Sequence, residues 1–209
     1  MISPRSSSIL YTIGHSNHGI DHFTTLLRQH CITALIDVRS HPYSAYVSHY
    51  SREQLKASLS DHRIAYFFLG KELGARSDDP ANYKHGKVQY SLLAHEPEYL
   101  HGIEQVIQHS QCHNLALMCA EKDPIECHRA ILIARTLTER GETVQHILAD
   151  GSLEDHEQME VRLLALCKLP EVDLFKSRKE LIADAYFIQS ERIAYRDESF
   201  AVTKKLVSP

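Results

Sequence analysis

Short apolar runs alternate with stretches whose apolar residues recur at helical spacing, and this rhythm persists through most of the chain. SILYTIG (8–14) is rich in β-branched and aromatic residues, closes on a glycine and predicts a first strand. From about Asp21 to His30, Phe23, Leu26 and Leu27 share one helical face, with Asp21 as candidate cap. TALIDVR (33–39) predicts a second strand. Ser51 to about His62 predicts a helix, because Ser51 and Gln54 have the spacing of a capping box. IAYFFLG (64–70) and NLALMCA (114–120) are apolar almost throughout, as strands covered on both faces are. Between them lie a long polar stretch, Lys71 to about Tyr90, and a helix from about Glu98 to Ser110. Polar connections of that length are uncommon unless functional or mobile. A helix reaching about Arg140 and stopped by Gly141 leads into a fifth strand, ETVQHIL (142–148). A helix from about Leu153 to Cys167 follows, and Leu181, Ala185 and Ile188 mark another in the tail.

The alternation predicts an α/β fold: a largely parallel sheet of about five strands flanked by helices, Rossmann-like and three-layered, with a C-terminal helical extension. The expected division is a core over residues 1–169 and an extension over 170–209 that packs on the core or on a partner. Strand order and oligomeric state are not readable.

Composition narrows the function classes. With 209 residues, 43% apolar and 24% charged, the chain can bury a sizeable core. No apolar run approaches the roughly 20 residues of a membrane-spanning helix. MISPRSSSIL lacks the basic-then-apolar order of a signal peptide, so a cytoplasmic protein without a membrane partner is expected. The five cysteines contain no C-x-x-C pair, which argues against a disulfide framework and a common structural zinc pattern. A net charge of −4 disfavours whole-surface binding of nucleic acid and leaves a local cleft as its only route.

Open parallel sheets bind ligands beyond the carboxyl ends of their strands. There the chain places Gly14-His15-Ser16, then Asp37, Arg39, His41 and Ser44, then Gly70 to Gly74, then Cys119, Glu121 and Lys122. GHSNHG (14–19) is neither a Walker loop nor G-x-G-x-x-G, yet a strand-to-helix turn can offer backbone amides to a phosphate. Asp37 and Arg39 share a strand face, so both can point into the cleft or form a structural ion pair; Arg39 followed by His41 and Ser44 suits an oxyanion. In CAEKDPIECHRA (119–130), Asp123-Pro124-Ile125-Glu126 reads as a helix start, and Cys127 falls on the apolar stripe. His128 and Arg129 are expected on the flank and outer side. An arginine in an early helical turn calls for an anionic partner, Glu121 or a ligand. Cys119, at a strand end, is the candidate nucleophile. A metal set of Cys119, Cys127 and His128 would need a distant His15 or His146 and lacks a standard spacing, so no metal site is assigned.

TIGHSN, DVRSHPYS, YFFLGKELG (66–74), CAEKDPIECHR followed by HIL, and the tail DLFKSRKELIADAYFIQSERIAY together resemble the domain of unknown function 488 family. This group comprises uncharacterised bacterial and archaeal α/β proteins. The likeness runs from about residue 8 to 195. It implies a compact α/β domain with hallmarks at Gly14, His15, Ser16, Asp37, Arg39, Pro42, Ser44, Gly70, Gly74, Cys119, Glu121, Cys127, His128 and Arg129. It brings no function.

The expectation is an enzyme acting on a phosphate-bearing or otherwise anionic substrate, a nucleotide or nucleic acid. Cys119, Glu121 and His15 would be catalytic; Gly14, Ser16, Asp37, Arg39, Ser44, His128 and Arg129 would bind the anion. No cofactor is assigned. The rival readings are a non-catalytic nucleotide or metabolite sensor using the same cleft, and a purely structural interaction domain.

Overall fold

The computed structural model describes residues 9–43 and 47–200. Its elements are β1 (Ile9–Gly14), α1 (Ile20–Gln29), β2 (Ala34–Asp37), α2 (Arg52–Asp61), β3 (Ala65–Phe68), β4 (Tyr83–Lys84), β5 (Lys87–Val88), α3 (Tyr90–Leu93) and α4 (Pro97–Ser110). After these come β6 (Leu115–Cys119), a π-helix (Arg129–Ala134), α5 (Arg135–Glu139), β7 (Thr143–Ile147), β8 (Leu153–Asp155), α6 (His156–Leu166) and α7 (Arg178–Ile193). The main sheet runs β3-β2-β6-β1-β7-β8, parallel except for the antiparallel edge strand β8. The expected α/β class is correct, with one strand more than the five read from sequence.

Side chains alternate between two cores, as strand geometry requires. Ala34, Ile36, Leu115, Leu117 and Cys119 enter one cluster with Tyr99, Ile103 and Val106 of α4 and Leu163 of α6. Leu35, Ala116 and Met118 enter the other, with Phe23, Leu26 and Leu27 of α1 and Leu55 and Leu59 of α2. Every residue of β6 is buried, which explains its unbroken apolar run. Each such leucine contributes about 1.5–3 kcal/mol over an exposed one.

Several boundaries differ from the sequence reading. Ser8, expected to open β1, lies outside the described residues, as do 201–209 of the expected extension. Ser51 does N-cap α2, but its side chain makes no capping bond; Gly19, not Asp21, N-caps α1. Leu153 begins β8 rather than a helix, because Leu153–Asp155 pairs with Gln145–Ile147, and Asp155 then forms the capping box of α6. The long polar stretch contains the β4–β5 hairpin.

The tail helix α7 is tied down by a buried polar chain. Thr12 Oγ1 donates to His146 Nδ1 (2.7 Å), His146 Nε2 to His156 Nδ1 (3.0 Å), His156 Nε2 to the Tyr186 hydroxyl (2.8 Å), and that hydroxyl to Glu160 (3.0 Å). Burial keeps both imidazoles neutral, lowering His156 to about 4. Gln189 adds a bond to the Ile125 carbonyl at 3.0 Å.

Candidate functional site

Strand register decides what meets at the carboxyl end of the sheet. Gly14 pairs with Cys119 and Asp37 with Met118, so β1, β6 and β2 end at the same level. The connections after β1 and β2 run through α1 and α2 on one face, whereas the chain after β6 returns on the other. Neighbouring strands whose connections diverge open a crevice between their ends. A cleft of about 290 Å³ lies there, lined by Arg39, Ser40 and His41 after β2 and by Cys119, Ala120 and Glu121 after β6. His128, Glu126, Ala75, Arg76 and Tyr90 line its walls too, together with Ile193 at the end of α7 and Tyr195 just beyond it.

Asp37 and Arg39 form a buried two-pronged ion pair. Arg39 Nε donates to Oδ1 (2.9 Å) and Nη2 to Oδ2 (2.7 Å), while Tyr66 adds its hydroxyl to Oδ2 (2.8 Å). Nη2 also meets the Tyr50 carbonyl (2.8 Å), and Nη1 donates to His15 Nε2 (3.1 Å). Since Nε2 accepts, the His15 proton sits on Nδ1, which donates to the Ser16 carbonyl at 2.8 Å. Burial and the Arg39 cation hold this imidazole down at about 4. His15 therefore positions Arg39 and does not line the cleft.

The Gly14–Ser16 turn is also occupied. The amides of His15 and Ser16 donate to the carbonyls of Cys119 (2.9 Å) and Ala120 (2.8 Å), extending the β1–β6 ladder. A Cβ on Gly14 would stand 1.9 Å from the Glu121 carbonyl oxygen, so glycine is what permits this close approach. These amides serve the fold and not an anion. Ser44 lies outside the described residues.

CAEKDPIECHRA folds differently from its sequence reading. Asp123 caps a short 3₁₀ turn over Pro124–Glu126, not a continuous helix, and its carboxylate accepts from the Ile125 amide at 3.0 Å. Cys127 is extended (φ −135°, ψ 140°), and the chain then re-enters helix with π geometry. Arg129, expected on the outer side, is fully buried. It does find Glu121, but through the backbone: Nη1 donates to the Glu121 carbonyl (2.7 Å) and Nη2 to that of Lys122 (3.2 Å). Its role is to hold the loop that carries Glu121.

The break at Cys127 brings two successive side chains to one strand end. His128 Nδ1 lies 3.7 Å from Cys119 Sγ and 3.8 Å from Cys127 Sγ. Ligand atoms of Cys119, Glu121, Cys127 and His128 all fall within 4.8 Å of one another, so these residues could hold a metal ion. His15 and His146, the distant partners considered from sequence, are not in the group. Burial and the bond to Cys127 push the Cys119 thiol up. Burial opposes ionisation of Cys127 too, but Cys119, Arg129 and His128 outweigh it and bring that thiol well below its ordinary range. Glu121 is open to solvent along the cleft wall, yet its carboxyl end faces the buried sulfurs; desolvation there, then the Cys127 charge, raises it. The cluster thus favours one thiolate.

Sequence reasoning passed over Arg76, Tyr90 and Tyr195, all contributed by the polar stretch or the tail. The unusual length of the Lys71–Tyr90 connection was the available signal. Arg76 sits 4.1 Å over the Tyr195 ring, a cation–π contact that brings the tail to the cleft.

Fold and site together define a parallel α/β protein with a polar cleft at a topological switch point. The chain belongs to the family described as Domain of unknown function DUF488, whose model matches residues 19–136. The match includes every residue of the four-membered cluster and leaves the TIGHSN motif and the tail outside it. No curated protein and no solved structure matches the chain. Among the described residues, no helix is long and apolar enough to cross a membrane.

Proposed function

We propose that the protein is an enzyme acting on a phosphate-bearing or similar anionic group held in this cleft. One observation carries the reading: the thiol, carboxyl and imidazole of Cys119, Glu121 and His128 share a single cleft with Arg39, His41 and Arg76. Arg76, beside the edge of the Asp37-paired Arg39, would orient the anion, and the raised Glu121 carboxyl suits proton transfer. The cleft is at the small end of ligand-site volumes, which favours recognition of a head group over enclosure of a whole nucleotide. The test is a panel of phosphate mono- and diesters, nucleotides and short nucleic acids with purified protein. Turnover that Cys119→Ser and Glu121→Gln abolish supports the assignment; turnover untouched by both substitutions refutes it.

A second reading has its own support. Ile193, at the end of α7, and Tyr195, just beyond it, line the same cleft. A ligand there would contact the tail directly, as a sensor requires. That reading expects thermal stabilisation by an anionic ligand without turnover.

A further inference from the structure

We propose that Cys119, Cys127 and His128 bind a zinc-type divalent metal ion at the floor of the cleft, with Glu121 as a fourth and displaceable ligand. The inference rests on reading the cleft as a reaction centre and specifies what stands in it.

Distances come first. Zinc–sulfur bonds of about 2.3 Å and zinc–nitrogen bonds of about 2.0–2.1 Å in a tetrahedron put sulfur and nitrogen about 3.6 Å apart. The two sulfur–nitrogen separations here are 3.7 and 3.8 Å. Both are long for strong hydrogen bonds and close to the edge of a ligand tetrahedron.

The surroundings agree. His128 Nε2 lies 3.1 Å from the Val38 carbonyl oxygen. A carbonyl only accepts, so Nε2 carries a hydrogen; on metal binding Nδ1 would give up any proton of its own and present its lone pair to the ion between it and the two sulfurs. Metal-bound histidines are oriented in this way by their outer nitrogen. The Arg129 amide approaches Cys127 Sγ at 3.4 Å, a contact that suits a sulfur bearing negative charge. The backbone is also shaped for the purpose: an unbroken helix would splay residues 127 and 128 about 100° apart. The extended Cys127 followed by a π-helix turns both side chains towards Cys119. Such π segments concentrate at functional sites.

The ligands are unequal. Cys119, Cys127 and His128 are buried, whereas Glu121 is exposed and belongs to the cleft wall. Three fixed ligands and one that solvent or substrate can replace is the pattern of a catalytic zinc site, not a closed structural one. An anionic oxygen held in the cleft that Arg76 and Glu121 both line could take the fourth position, where the metal would act as a Lewis acid. On this account Cys119 is a ligand, and its expected role as a free nucleophile gives way.

The test measures metal, not activity. Full-length protein, produced with zinc and exhaustively dialysed, is analysed for metal content and then exchanged with cobalt(II). The expected result is about one zinc per chain and, with cobalt, thiolate-to-metal charge-transfer absorption with the intense visible bands of tetrahedral coordination. Cys127→Ser and His128→Gln should lose the metal. Glu121→Gln should keep about one equivalent while changing the cobalt spectrum. Wild-type protein without stoichiometric zinc and without cobalt charge transfer overturns the proposal, and so does a Cys119–Cys127 disulfide found by non-reducing peptide mapping. These wild-type readouts stand even if a variant fails to fold. A metal-free protein that still turns over or binds phosphate in the cleft would sink the metal site alone.

Discussion

Replacing Arg129 with methionine separates an arginine that holds the protein's own backbone from one kept for an external anion. The guanidinium is fully buried and donates to the Glu121 and Lys122 carbonyls at 2.7 and 3.2 Å. Hydrogen bonds from a charged group contribute about 1.5–3 kcal/mol each. Methionine roughly fills the stem's volume but offers no donor, and part of the freed loop can turn to water. The lower end of the range then applies, about 3 kcal/mol for the pair. For a chain of this size each kcal/mol lowers the melting temperature by about 2–4 °C, so Arg129→Met should melt about 6–12 °C below wild type. Circular dichroism on ligand-free protein is sufficient. Arg129→Lys, able to reach one carbonyl, should fall between. A drop under about 2 °C, combined with lost ligand affinity, would show that the arginine serves a ligand and that the loop needs no such support.

Other expectations follow from the same geometry. Arg39→Met leaves the buried Asp37 carboxylate without its cation; breaking such a pair costs about 3–5 kcal/mol, and Asp37→Asn in the same chain should recover part of it. Urea unfolding measures both, and a loss below about 1 kcal/mol would contradict the pairing. Gly14→Ala places a Cβ against the Glu121 carbonyl and should destabilise by about 1–3 kcal/mol; an alanine variant as stable as wild type would mean that the strand ends are less closely packed than described. His156, held at about 4, binds its proton more readily in the unfolded chain. Its contribution is therefore complete above about pH 6.5 and is lost as pH falls towards 4, amounting to about 2 kcal/mol lost at pH 5. His156→Gln should remove that share of the wild-type difference between pH 7 and pH 5, and an unchanged difference would argue against a neutral buried imidazole.

The parts legible in sequence were those set by local periodicity. The unbroken apolar run at Leu115–Cys119 announced a central strand, and Phe23, Leu26 and Leu27 announced the buried face of α1. The candidate site was legible as a set of strand exits but not as a geometry. Asp123-Pro124-Ile125-Glu126 carries every local mark of an α-helix start, yet the chain forms only a 3₁₀ turn before Cys127 extends. That departure has no local signature, since it is fixed by contacts between residues 127–129 and the β6 end. The same holds for Arg129, whose partners are backbone carbonyls that sequence does not display. Arg76 and Tyr195 reach the cleft through long-range packing of a polar loop and a tail helix. Only the topology brings them there.

The central claim is that an anion binds at the switch-point cleft between the ends of β2 and β6. Its most direct test is a two-dimensional NMR titration of isotope-labelled protein with inorganic phosphate and with a nucleoside monophosphate. The account predicts saturable shifts concentrated at Arg39–His41, Arg76, Glu121 and Tyr195, and their loss in Arg76→Gln. No saturable shifts, or shifts gathered around Asp150 and Arg162 at the neighbouring surface instead, would contradict it.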